Sequence, residues 1–197
     1  MNSSRFPVAL LLCSAFVLLA GCTLLPTPQP DRTRHYVLES GAAVATPTAQ
    51  PVRLGLRNVE IPAYLKTKAM VVRSGNNEIR YNDTARWAEP LEAGITRLLR
   101  ERLAGRARII TYPFPANLER DYDVTVRVLS AEGHDRGVLF SAVVELTRVG
   151  DTATIVSRRV YTAPVVSWNG DFAQLASQLS AAVANLADEV LAAVPQE

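Results

Sequence analysis

Apolar residues recur along this chain in two rhythms, and each rhythm places elements. Val52, Leu54 and Leu56 alternate with Arg53, Gly55 and Arg57, the period-two pattern of a half-buried strand. The phase slips after Asn58, where Val59 and Ile61 fall on the other parity before Pro62, so a bulge or strand end is expected there. Shorter strands are expected at Ala69–Arg73, around Ile79 and Tyr81 beyond a Ser74–Asn77 turn, and at Arg108–Tyr112. Three longer ones follow at Tyr122–Leu129, Val138–Thr147 and Ala153–Thr162, with turns over Ser130–Gly137 and Arg148–Thr152 between them. Connections this short favour an antiparallel meander, because a parallel crossover needs about a dozen residues. In the middle strand Val138, Phe140, Ala142, Val144 and Leu146 alternate cleanly, while Leu139 and Val143 predict partial cover of the second face.

The other rhythm is helical. Leu91, Ile95, Leu98 and Leu99 form a stripe from about Pro90 to Leu103, with Pro90 at an early position where its missing N–H costs nothing and Gly105 as the stop. Phe172, Ala176, Leu179, Val183, Leu186 and Val190 predict a long Ala-rich helix over residues 171–194, widened by Leu175, Leu191 and Val194. Its stripe fits packing against the sheet or sharing with a partner subunit. Together these elements predict an α+β domain, a mixed or antiparallel sheet with two principal helices packed against it. Strand order is not legible.

The N-terminus reads differently. Arg5 and the free amine make a short positive region, and residues 6–20 form an uncharged apolar run of 15 residues. That is the length of a secretory signal core and short of the roughly 20 residues of a membrane-spanning helix. Leu19-Ala20-Gly21-Cys22 then resembles the bacterial lipobox. The resemblance implies cleavage before Cys22, a diacylglyceryl thioether on its thiol, and a third acyl chain such as palmitate on its freed amine. Thr23 stands where an Asp favours inner-membrane retention in enterobacterial relatives, which implies export to the periplasmic face of the outer membrane. The expected organisation is a cleaved signal peptide over residues 1–21, a lipidated, Pro-rich tether over 22–34, and one domain over 35–194.

Composition narrows the chemistry. The chain has 197 residues, 48% of them hydrophobic and 20% charged, with a formal charge of +2. This is too apolar for general disorder and gives no reason to expect nucleic acid. Cys13 leaves with the signal and Cys22 is acylated, so neither a disulfide framework nor a thiolate metal site is expected. The histidines are His35, beside the tether, and His134, in the expected Glu132–Asp135 turn, and no ligand spacing joins them. There is no GxSxG elbow, no GxxxxGK[ST] phosphate loop and no GxGxxG after a strand. Asp83, Glu89 and Glu92 are expected to charge the loop and start of the first helix. No catalytic residue, cofactor or metal site is expected. Arg97, Arg100, Arg102, Arg106 and Arg108 stand against Glu101 and read either as a solvated face or as a contact for anionic lipid or an acidic partner.

The stretch Arg80–Leu103 carries a family resemblance, centred on Arg86-Trp87-Ala88-Glu89-Pro90-Leu91. With Tyr36-Val37-Leu38, Ile61-Pro62-Ala63-Tyr64-Leu65, Val71-Val72-Arg73 and the terminal Trp168–Val194 segment, it resembles the ABC-type transport auxiliary lipoprotein family and its PqiC-like members. In that resemblance Trp87, Pro90 and Leu91 are structural, closing the core and setting the helix start. The resemblance implies a non-enzymatic lipoprotein of an MCE-associated lipid transport system, docking or completing the assembly at the outer membrane and supporting envelope integrity. Its partners would be an MCE-domain protein, with an ABC permease and ATPase or another integral membrane subunit, and homo-oligomers are compatible with such a role. The alternative is an envelope-assembly lipoprotein that binds a cell-wall enzyme or secretion component.

Overall fold

Among the described residues, β-branched alternation and helical stripes sort into eight strands and two long helices. In the computed structural model, which describes residues 30–39, 41 and 52–195, the strands are β1 (Arg34–Tyr36), β2 (Arg53–Leu56), β3 (Ala69–Arg73), β4 (Ile79–Trp87), β5 (Arg108–Thr111), β6 (Tyr122–His134), β7 (Gly137–Arg148) and β8 (Thr154–Thr162). The helices are α1 (Leu91–Ala104) and α2 (Phe172–Ala192), with short 3-10 turns at Ala63–Leu65 and Gly75–Asn77. The signal segment, Cys22 and residues 22–29 of the tether lie outside the described residues.

β6 is the spine. Antiparallel β7 runs along one flank for its whole length, and antiparallel β8 lies beyond β7. The other flank of β6 is shared end to end. Parallel β2 covers its start (Leu54 opposite Tyr122, Leu56 opposite Val124), Glu60 bridges to Arg127, and parallel β3 covers its end (Val72 opposite Gly133). β5 lies outside β2, and β4 then β1 lie outside β3. The result is a mixed sheet in an α+β domain. The meander expected for the last three strands is present.

Two differences from the sequence pattern have clear causes. The Ser130–Gly137 turn is absent: β6 continues to His134, and Asp135-Arg136 alone joins it to β7. A bulge at Leu129 shifts the pleat by one residue, so the charged Glu132-Gly133-His134 run occupies strand positions. β4 extends over nine residues, and its last three, Ala85 to Trp87, are paired by the distant β1.

Both helices cover one face of the sheet. Val124, Val126 and Val128 of β6 and Phe140, Ala142, Val144 and Leu146 of β7 are buried there. They share one core with Ile95, Leu98, Leu99 and Leu103 of α1, and with Leu175, Leu179, Val183, Leu186 and Val190 of α2. Asp171 caps α2, its Oδ1 accepting from Ala173 N at 2.9 Å. Trp87 ends β4 inside this core and Leu91 opens α1 inside it, both nearly inaccessible, while Pro90 caps the helix from the surface. Gly133 has no side chain because the Trp168 ring lies against its backbone: a Cβ there would meet ring carbons at 2.7 and 2.9 Å.

Candidate interaction site

Two buried carboxylates, Glu132 and Asp123, each anchor a charge cluster on the helix-free face of the sheet. At one, the fully buried Glu132 accepts from Arg73 Nε and Nη2 at 2.9 and 2.6 Å on Oε1. Its Oε2 accepts from the Tyr64 hydroxyl at 2.9 Å and from Ala131 N at 2.7 Å. Burial, together with the Glu132 charge, pushes the Tyr64 hydroxyl up to about 12, so it remains a neutral donor. Hydrogen bonding to Glu132 raises the Arg73 guanidinium further above its ordinary range.

The second cluster sits where the β5–β6 loop crosses β2. Asp123, nearly inaccessible, accepts from Arg57 Nη2 at 2.9 Å and from Arg120 Nε at 2.5 Å. Phe114 lies between these two guanidiniums, 5.4 Å from Arg57 and 4.2 Å from Arg120. Gly55 makes the close packing feasible, since a Cβ would meet Asp123 Oδ1 at 2.5 Å and Arg120 Cδ at 2.7 Å. Nearby, Arg53 binds Asp121 and Glu119, and its hydrogen bonds hold the Asp121 carboxyl below the ordinary carboxylate range. An open bowl of about 830 Å³ adjoins this cluster, lined by Arg53, Glu119, Arg120, Asp121, Tyr122 and Arg148. Arg148 lies over the Tyr122 ring at 5.5 Å and donates to its hydroxyl at 3.2 Å. Charges arranged in this way fix the shape and field of a surface.

The five arginines singled out in the sequence do not share a face. At 100° per residue, Arg97 and Arg100 of α1 point one way and Arg102 the other, Arg106 follows the helix end, and Arg108 belongs to β5. Arg97 is held by Glu89 at 2.6 Å, Glu101 at 3.3 Å and the Leu38 carbonyl at 2.7 Å. Arg106 pairs with Asp188 of α2. Arg102 forms part of the wall of a groove of about 550 Å³ between β1 and α2, with its Nε unpartnered. Arg100 and Arg108 are exposed. Of the acidic residues near α1, Glu89 is committed to Arg97, Asp83 lies within β4, and the Glu92 carbonyl accepts from Thr96 Oγ1 at 2.7 Å. His134 closes β6, its Nδ1 accepting from Arg136 N at 3.1 Å, and His35 sits in β1. No group of three or more potential metal ligands occurs among the described residues. The Arg57–Asp123–Arg120 cluster has no local sequence signal, because Arg57 and Asp123 meet across 66 residues.

Sheet, helices and charge clusters define an α+β domain built on one mixed, branched sheet. A model of the ABC-type transport auxiliary lipoprotein component matches residues 36–191, and the chain belongs to that family. Among solved structures it is similar to protein XCC0632 from Xanthomonas campestris, assigned to the DUF330 family, with a TM-score of 0.66 and 17% identity over 81% of this chain and 93% of that one. An uncharacterized protein follows with a TM-score of 0.62 and 16% identity over 80% and 95% of the two chains. Hypothetical protein CT253 from Chlamydia trachomatis gives 0.50 and 11% over 73% and 95%. At these identities the likeness is one of fold. Among curated proteins none matches the sequence.

Proposed function

We propose that this protein is a non-enzymatic, lipid-anchored component of an MCE- and ABC-associated intermembrane lipid transport system. It docks or completes the assembly at the periplasmic face of the outer membrane and supports envelope integrity. The observation that carries this reading is the family match over residues 36–191 placed directly behind Leu19-Ala20-Gly21-Cys22. Cys22 supplies the anchor. One acyl chain binds a membrane with K on the order of 10⁴ M⁻¹, whereas two or three make a stable attachment. No helix among the described residues is long and apolar enough to cross a membrane. An MCE-domain protein is the direct partner, with the permease and ATPase or another integral subunit behind it, and ATP hydrolysis belongs to them. Exposed Arg100 and Arg108 remain available for an acidic partner or anionic headgroups.

Crosslinking in intact cells tests the partner. The expected result is capture of an MCE protein or transporter subunit. Capture of a cell-wall enzyme or secretion component instead would overturn the transport role. Cys22→Ala tests the anchor: unprocessed precursor should accumulate in the inner membrane, and normal acylation with outer-membrane fractionation would refute the assignment.

A further inference from the structure

The last strand of the sheet leaves an apolar, positively charged rim uncovered. β8 pairs with β7 on one side, and no strand among the described residues meets its other side. Beyond Thr162 the chain keeps the same course. Ala163 N donates to Phe140 O and Val138 N to Val166 O, but Pro164 has no N–H, so the pairable rim is β8 itself, Thr154 to Thr162. At about 3.3 Å per residue that is roughly 30 Å of open edge. Ile155, Val160, Val165 and Val166 are 55%, 65%, 56% and 49% exposed, and Val156 adds 37%. Most of the exposed large hydrophobic residues among the described residues therefore lie on β8 or within four residues of its end. A long, uncovered, β-branched edge is a template for strand addition.

Charge decides which strand. β8 carries Arg158 and Arg159 at its centre and no carboxylate. Arg158 faces Glu145 at 3.5 Å and remains mostly exposed, and Arg159 has no hydrogen-bond or ion-pair partner among the described residues. In any centred antiparallel pairing of two copies, these residues meet the same pair on the second copy, and directly opposed like charges are destabilising. The free flanks at the far side of the sheet are no better suited. β1 and β5 offer Arg34 and Arg108, and the uncovered stretch of β4 offers Arg80 against the single Asp83. The rim therefore rejects its own chain and fits an acidic strand from elsewhere.

We propose that the β8 rim docks an extended segment of a different protein as an added strand. Carboxylates of that segment lie opposite Arg158 and Arg159, and its β-branched or aromatic residues pack on Ile155 and Val160. The rim's pairing capacity belongs to the edge itself and does not depend on a transport role.

The test uses the full-length chain in detergent micelles and two synthetic twelve-residue peptides of alternating Val and Thr. One carries two central Glu residues and the other two central Lys residues. Fluorescence anisotropy should show the Glu peptide binding at least about tenfold tighter than the Lys peptide. Residue-resolved amide exchange should show protection at every second position of β8, the signature of main-chain pairing. Arg158→Gln/Arg159→Glu, at two exposed positions, should reverse the preference while leaving the urea midpoint within about 0.3 M of the parent. Equal binding of both peptides, protection without the two-residue period, or no binding would overturn the proposal. Self-association through β8 that the double variant abolishes would overturn it in favour of a second copy.

Discussion

Arg73→Met removes the cation that holds Glu132, and its effect can be worked out from the contacts. The carboxylate of Glu132 is fully buried and loses both bonds to Oε1, at 2.9 and 2.6 Å. Breaking one side of a buried ion pair costs about 3–5 kcal/mol, because the remaining charge is stranded. Two acceptances on Oε2 survive, from Tyr64 and Ala131, and Arg73 itself is 31% exposed, so water reaches the site. Both facts place the loss at the lower end, about 3 kcal/mol. In urea, with a slope of about 2 kcal/mol per molar, the midpoint of a soluble form beginning after Cys22 should fall by about 1.5 M. Arg73→Met/Glu132→Leu removes the stranded charge as well and should recover most of that loss, giving a coupling of at least about 2 kcal/mol. A single-variant shift below about 0.5 kcal/mol, or strict additivity in the cycle, would refute the view that this face is held by pairing.

Other expectations are simpler. Trp87→Ala empties a nearly inaccessible position at the end of β4 and should cost about 3–5 kcal/mol in the same urea assay. Gly133→Ala forces Trp168 off the β6 backbone, so tryptophan emission should shift to the red with a loss of about 1–3 kcal/mol. Asp121 has its folded pKa depressed by Arg53, so its contribution is present above about pH 4 and lost as pH falls through the folded value. Asp121→Asn should therefore flatten the acid limb of the stability profile below about pH 4, measured by thermal unfolding at stepped pH.

The sequence made some of this legible for physical reasons. β6, β7 and β8 alternate and are joined by short turns, so their order follows from local rules. The helices announce themselves through Leu91–Leu99 and Phe172–Val190, since a buried stripe must repeat at helical spacing. What stayed hidden is non-local. Nothing near Leu54 tells that β2 lies between β5 and β6, because its partners there are the distant Ile109 and Tyr122. Glu132 reads as a turn residue until Arg73 and Tyr64 are brought beside it, and the Leu129 bulge conceals the strand that carries it. The arginines from 97 to 108 look like one basic face in a linear string, but the fold turns them apart, and Glu89 and Asp188 engage two of them.

The shared flank of β6 also sets a timetable. A chain made from its N-terminus can close the β3–β4 hairpin at once, since Arg73 and Ile79 meet across a short turn. β2 must wait. Leu54 and Leu56 are fully enclosed only when β5 and β6 flank them, so until Val124 has emerged these leucines lack a partner strand on one side or both. Closing so long a loop is slow, and the interval leaves an apolar segment open to capture by a chaperone.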